Sequence, residues 1–302
     1  MAGREHCGVE KVLARREFLR RATLALMLPA AASPLGAAGL YAWTEPTPAA
    51  VEVAADGTLS SRFNPPPGFQ RVAAPDKSFA AWLRGLPMKP AAASVVLYDG
   101  REKARQDVHA GVIAIDVGTK DLQQCADAVM RLRAEWLFAT GRAGDIAFNV
   151  TEGGRVPFSR WAKGERPAPS GKTWKKSAAA DSSYASFRKY LNFVFAYAGT
   201  ASLEKELVAV DDGQIEIGNV FIKGGFPGHA VLVADMAENA VTKARRFLLL
   251  QSFMPAQEMH VLKNPANGDG SPWYARPEGD LVTPEWTFPK GSLKRWPEPA
   301  KG

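Results

Sequence analysis

Two cysteines in 302 residues, Cys7 and Cys125, are too few for a disulfide framework. The chain also lacks a Gly-x-Gly-x-x-Gly turn, a phosphate-cradling Gly-x-x-x-x-Gly-Lys-Ser/Thr loop and a haem-attaching Cys-x-x-Cys-His. These absences exclude the signatures of dinucleotide, P-loop nucleotide and c-type haem binding, so no cofactor is expected. No His-x-x-x-His pair occurs, and Cys125, His109, His229 and His260 match no closed zinc spacing, so no metal is expected either. The formal charge is +7, yet no stripe of Lys and Arg interleaves with aromatics, and nucleic acid is not an expected partner.

What is present begins with a basic N-terminus. Arg4, Lys11, Arg15, Arg16, Arg20 and Arg21 precede an apolar run from Ala22 to Tyr41. That is the layout of a signal peptide. The segment Arg15-Arg16-Glu17-Phe18-Leu19-Arg20 resembles the twin-arginine consensus, which implies recognition by the twin-arginine translocase and delivery to the periplasm or beyond. Pro29, Ser33, Pro34 and Gly36 interrupt the run, whereas a membrane span needs about 20 predominantly apolar residues. An uncleaved leader would leave the protein membrane-anchored. Removal of residues 1–43 takes away six basic and three acidic residues and lowers the charge from +7 to +4. Cys7 leaves with them, and Cys125 becomes the only thiol of the mature chain.

Residues 44–67, rich in Pro and Ala and closed by Pro65-Pro66-Pro67, read as a linker, and 68–302 as a single α+β domain. Helices are expected around Phe79, Trp82 and Leu83, from Asp121 to Thr140 with an Asp121-x-x-Gln124 cap, and from Ser183 to Ala198 with Gly199 as C-cap. Strands are expected at 95–98 and 108–117, paired through Asp99-Gly100, and at 146–150, 214–222, 229–235, 246–252 and 258–262. Residues 151–180 read as a long loop or cleft-covering arm, and the stretch after 262 as Pro- and Trp-rich coil. In that coil Trp273, Tyr274, Trp286 and Trp296 either stack on a ligand or strap the core.

The segment Ile217-Gly-Asn-Val-Phe-Ile-Lys-Gly-Gly-Phe-Pro-Gly-His229-Ala-Val-Leu-Val-Ala-Asp235 reads as strand, Gly/Pro turn and strand, with His229 at the strand mouth. It resembles the histidine hairpin of papain-like cell-wall hydrolases of the NlpC/P60 and CHAP type, with Asn219 in place of that family's aspartate. The resemblance implies helices packed on an antiparallel sheet, a histidine base, a cysteine at a helix N-terminus and a third polar residue that orients the imidazole. The helix from Ser183 lies where that family places its cysteine helix, but offers only Ser182, Ser183 and Ser186. Cys125, just inside the cap of the earlier helix, is therefore the candidate nucleophile. His229 is its base, Gln251 or Asp235 the orienting group, and Gln123 or Gln124 an oxyanion donor. Its neighbours Leu122, Ala126, Val129 and Leu132 pull the other way, since they place Cys125 on the buried face as a small apolar filler.

Three longer motifs cover the domain: Asp121-Leu-Gln-Gln-Cys-Ala-Asp-Ala-Val-Met-Arg-Leu-Arg-Ala-Glu, Pro227-Gly-His-Ala-Val, and Gln251-Ser-Phe-Met-Pro-Ala-Gln-Glu-Met-His-Val-Leu-Lys-Asn-Pro. Together they resemble the bacterial domain of unknown function 4846 family over residues 63–296. The expected function is an envelope-acting cysteine amidase or peptidase with Cys125, His229 and Gln251 as its catalytic set and peptidoglycan or another envelope polymer as its partner. The alternative is a non-catalytic module in which the same cleft binds a peptide or glycan and His229 only hydrogen-bonds it; in either case Gln124, Asp235, His260 and Trp273 are the expected ligand-binding residues.

Overall fold

A computed structural model describes residues 56–297. The leader at 1–43, Cys7 and the first part of the expected linker lie outside the described residues. The folded part begins before Gly68. Thr58 caps a short helix α1 (Leu59–Arg62), and Leu59 and Phe63 are buried in the core. There follow β1 (Phe69–Arg71), α2 (Phe79–Arg84), β2 (His109–Val112) and α3 (Cys125–Ala139). Ser78 caps α2 by accepting from the Ala81 amide, and Gly85 ends it, as the aromatic spacing predicts.

Helix α3 starts four residues after the expected cap. Asp121 and Gln124 do meet, the carboxamide donating to the carboxylate at 2.9 Å, but Asp121 Oδ1 also accepts from the Ala256 amide at 2.6 Å. That second contact ties Asp121 to a distant loop, and Gln124 becomes the N-cap.

Residues 151–180 are two short hairpins and a helical turn rather than a structureless arm. Strands β3 (Ala147–Asn149) and β4 (Arg155–Pro157) pair, α4 (Phe158–Ala162) follows, and β5 (Glu165–Pro167) pairs with β6 (Trp174–Lys176). Next come α5 (Tyr184–Tyr197), capped by Ser183, and α6 (Thr200–Glu206). Gly199 does not end α5 in a left-handed conformation. Its backbone is extended and it starts α6, with its amide donating to Ser202 Oγ at 3.0 Å.

The second half supplies the sheet: β7 (Val208–Ala209), β8 (Val220–Lys223), β9 (His229–Asn239), β10 (Arg245–Gln251), β11 (His260–Leu262), β12 (Tyr274–Ala275), β13 (Leu281–Val282), β14 (Thr287–Phe288) and β15 (Leu293–Arg295). The main sheet is antiparallel in the order β2-β11-β10-β9-β8-β15-β7, with β1 on β9 and β12 on β10. The expected pairing of 95–98 with 108–117 does not form. The Asp99-Gly100 turn closes locally, through a bridge from Val96 to Glu102, while β2 pairs with β11. The C-terminal region is likewise not coil, since β15 completes the sheet beside β8 and β13 pairs with β14.

The sheet divides two apolar clusters. On one face Ala230, Leu232, Leu248 and Leu250 pack beneath α2 and α3, and α5 lies on α3 and α4 with Phe187 stacked on Phe138 at 4.6 Å. On the other face Phe221, Val231, Val233, Phe247 and Leu249 pack against Phe288, Leu281 and Leu293. The architecture is α+β, with helices on an antiparallel sheet.

Candidate functional site

The site forms where β9 begins and β10 ends. Antiparallel pairing brings these two strand ends side by side, so His229 and Gln251, 22 residues apart in the chain, become neighbours. His229 Nε2 lies 2.9 Å from Gln251 Oε1. Gln251 pairs across to His260 on β11, and its Nε2 is 3.2 Å from His260 Nε2. Nδ1 of His260 is 2.9 Å from the Glu258 carbonyl. The three polar side chains form one row across three strands, and all are buried. Burial pulls the His260 pKa down to about 3, so its ring is neutral at neutral pH.

A charged pair closes the row. Gln251 Nε2 donates to Glu285 Oε2 at 2.6 Å, and Glu285 Oε1 accepts from Lys103 Nζ at 2.6 Å. Both members are more than 90 % buried. Glu285 sits in the turn between β13 and β14, and Trp286 and Phe288 beside it reach His229 with ring centroids 5.5 and 5.7 Å away. Phe253 meets His229 edge-on at 4.9 Å and carries Lys103 over its own face.

Cys125 arrives from the opposite side of the sheet. Helix α3 packs on the face of Ala230 and Leu232, and its first residue stands at the end of β9, with Sγ 4.0 Å from the carbonyl oxygen of Gly228. Gly228 has to be glycine. A Cβ there would lie 2.4 Å from Thr200 Oγ1 and 2.6 Å from the Lys223 carbonyl. The loop after Gln251 ties to the same helix end, because Ser252 Oγ donates to the Gln123 carbonyl at 3.1 Å. The Gln123 side chain accepts from buried Arg131 at 2.5 Å, and its Nε2 is buried with no hydrogen-bond partner among the described residues. Gln124 uses its carboxamide nitrogen on Asp121.

Two of the sequence candidates lie elsewhere. Asp235 is on β9 but faces the helices, with its two oxygens bound by Arg71 and Arg84 at 2.7 and 2.6 Å. It does not orient His229. Trp273 belongs to the core beneath the helices, its indole N–H donating to the Asn64 carbonyl at 2.9 Å. Asn219 holds a turn by accepting from the Glu216 amide. The serines of α5 belong to a helix packed on α3 and α4, so that helix is not the one whose N-terminus meets β9.

Lys103, Glu285 and Phe253 escaped sequence reasoning. Nothing local distinguishes a Lys or Glu destined for burial from one on a solvated turn. Among the described residues no group of three or more His, Cys, Asp or Glu is arranged to hold a metal ion, and no helix is long and apolar enough to cross a membrane.

The family model described as domain of unknown function (4846) matches residues 59–295. No curated protein and no solved structure matches the chain.

Proposed function

Given that the chain belongs to the domain of unknown function 4846 family, we propose that it is a papain-like, exported envelope protein that cleaves or transfers at an amide bond. In this reading Cys125 is the nucleophile, His229 the base and Gln251 the group that orients the imidazole. The observation that carries it is the position of Cys125. It opens α3, where backbone N–H groups and the helix dipole favour a thiolate, and its sulfur is 4.0 Å from the carbonyl of the residue preceding His229.

His229, held through Nε2, takes the thiol proton on Nδ1. The thiolate adds to the amide carbonyl, the C–N bond breaks, and the amine leaves with the proton from His229. Water then opens the thioester, giving up a proton to His229 and returning the thiol. The oxyanion of each tetrahedral intermediate is met by α3 amides and by Gln123, whose carboxamide Arg131 holds by its oxygen so that Nε2 is left to donate. Export by the twin-arginine translocase sets the substrate class, envelope peptides such as those of peptidoglycan.

Two features favour a second reading, a module that binds a peptide or glycan without catalysis. Cys125, His229 and Gln251 are each at most 2 % exposed, and the His229 ring packs against Trp286 and Phe288 of the apolar cluster on the other face of the sheet. Incubation of residues 44–302 with peptidoglycan fragments, followed by mass spectrometry of new termini, separates the two. The hydrolase yields new amine and carboxyl ends that vanish in Cys125→Ala. Absence of new ends, together with a thiol that reacts with iodoacetamide only after denaturation, overturns the hydrolase and leaves the binding module.

A further inference from the structure

We infer that Glu285 is a positioning residue for His229: by fixing which way the Gln251 carboxamide faces, it sets which imidazole nitrogen carries the proton. The geometry stands without any assumption about catalysis, but its consequence for reactivity rests on the Cys125–His229 reading above.

A carboxamide is nearly symmetric in shape, so its oxygen and its NH2 group compete for the same places, and the neighbours decide between them. Gln251 has three. The Glu258 carbonyl, 2.9 Å from His260 Nδ1, can only accept, so the His260 proton is on Nδ1 and Nε2 presents a lone pair. Glu285, salt-bridged to Lys103, presents lone pairs as well. Both groups face the same corner of Gln251, at 3.2 and 2.6 Å, and only NH2 can serve two acceptors. The oxygen is therefore turned to His229, 2.9 Å from Nε2, and that nitrogen must be the N–H donor. Nδ1 is left with the lone pair, the form in which it can take a proton from a thiol.

The shorter contact of the two comes from Glu285. Without it, the carboxamide is held in this orientation by His260 alone, at the longer distance. The reversed carboxamide would place NH2 against His229 Nε2 and favour the Nδ1–H tautomer, which has no lone pair on the nitrogen that the mechanism uses. An imidazole in the wrong tautomer is a recognised way to lose catalysis while geometry is kept.

The test is direct. In a Cys125→Ala background at about pH 8, where histidine is neutral, 15N chemical shifts of the His229 ring report the tautomer. The Nε2–H form is expected. The variant pair Lys103→Met/Glu285→Leu removes both buried charges at once, which avoids an unpaired Lys103 and protects folding. It is expected to show a clear Nδ1–H population, whereas Glu285→Gln, which retains an acceptor for Gln251, is expected to stay Nε2–H. A purely structural role for Glu285 would not separate those two. His229 remaining wholly Nε2–H in the double variant overturns the inference.

With Cys125 restored, iodoacetamide alkylation followed from pH 5 to 9 reads the consequence. The groups around the row are Lys103, Glu285, His260, His109 at 6.1 Å from His260, and Glu258 paired with Lys89. A double variant in which about a tenth of His229 keeps the Nε2–H form is expected to alkylate about tenfold more slowly at pH 6 than wild type, with Glu285→Gln close to wild type. If His229→Ala alkylates like wild type at every pH, the Cys125–His229 reading fails, while the tautomer result stands or falls separately.

Discussion

Replacing Asp235 by alanine removes the acceptor shared by two buried ion pairs, and the size of the loss follows from what is left behind. Oδ2 binds Arg71 Nε and Oδ1 binds Arg84 Nε, and the carboxylate has no solvent exposure. Arg71 and Arg84 tie β1 and α2 to the middle of β9, so the variant loosens two elements at once. Breaking a buried pair from one side costs about 3–5 kcal/mol. The arginine side chains are 24 % and 14 % exposed and can recover some hydration. Arg71 also keeps its bonds to the Ser60 and Phe63 carbonyls, and Arg84 its bond to the Met236 carbonyl. These effects pull toward the lower end, and the presence of two stranded cations pulls back, so about 4 kcal/mol is expected. At roughly 2–4 °C per kcal/mol for a domain of this size, the melting temperature falls by about 8–16 °C. Urea unfolding of residues 44–302 gives the free energy directly. A loss below about 1 kcal/mol would refute the assignment of Asp235 to the scaffold. So would an alkylation profile of Cys125 altered in variant protein that is still folded.

Acid is expected to act first through His260. Its folded pKa of about 3 lies below the ordinary 6.5, so the unfolded chain binds the proton first as pH falls. The contribution is intact above about pH 6.5 and is lost toward pH 3, at about 1.4 kcal/mol per pH unit. The unfolding free energy should drop by about 3 kcal/mol between pH 6.5 and 4, and less in His260→Gln. Identical pH slopes in the two proteins would show that another group is responsible. Gly164 has φ +87°, and a Cβ there would sit 2.1 Å from the Ala178 carbonyl. Gly164→Ala should therefore cost about 2–4 kcal/mol, against about 1–2 for Gly291→Ala, which has the same sign of φ and open space around it. Equal losses measured in urea would show that the close approach to Ala178 is not tight.

The elements legible in the sequence are the long ones with many buried positions. Helices α3 and α5 carry apolar residues at helical spacing over 15 and 14 residues, and β9 is apolar over most of its length. Such runs need no knowledge of a partner. Strands β12 to β15 have two or three residues each, too short for any period to register, and they are specified by what they lie against. Phe288 and Leu293 are buried only because the other face of the sheet is there to cover. The pairing of β2 fails for a related reason. The turn signal at Asp99-Gly100 is local and closes a local turn, while the choice of β11 over the nearer segment is made by contacts about 150 residues away.

The same contrast runs through the site, and Asp235 shows it most clearly. His229 and Asp235 are six positions apart, an even number, and side chains on a regular strand return to the same face every second residue. The sequence therefore puts Asp235 on the face of His229, about 20 Å along. The pairing breaks that count. Leu248 opposes Asp235 and Leu249 opposes Val233, which leaves Ala234 as an extra residue in β9. One bulged residue exchanges the faces of everything beyond it. Val233 and Met236 consequently share a face although three positions separate them, and Asp235 turns to the helices and meets Arg71 and Arg84. Nothing in Val231-Leu-Val-Ala-Asp-Met-Ala237 marks Ala234 as the extra residue. The bulge sets the boundary between the two roles of the strand: before it β9 carries the histidine row, and after it the same strand is an ion-paired anchor for α2 and β1.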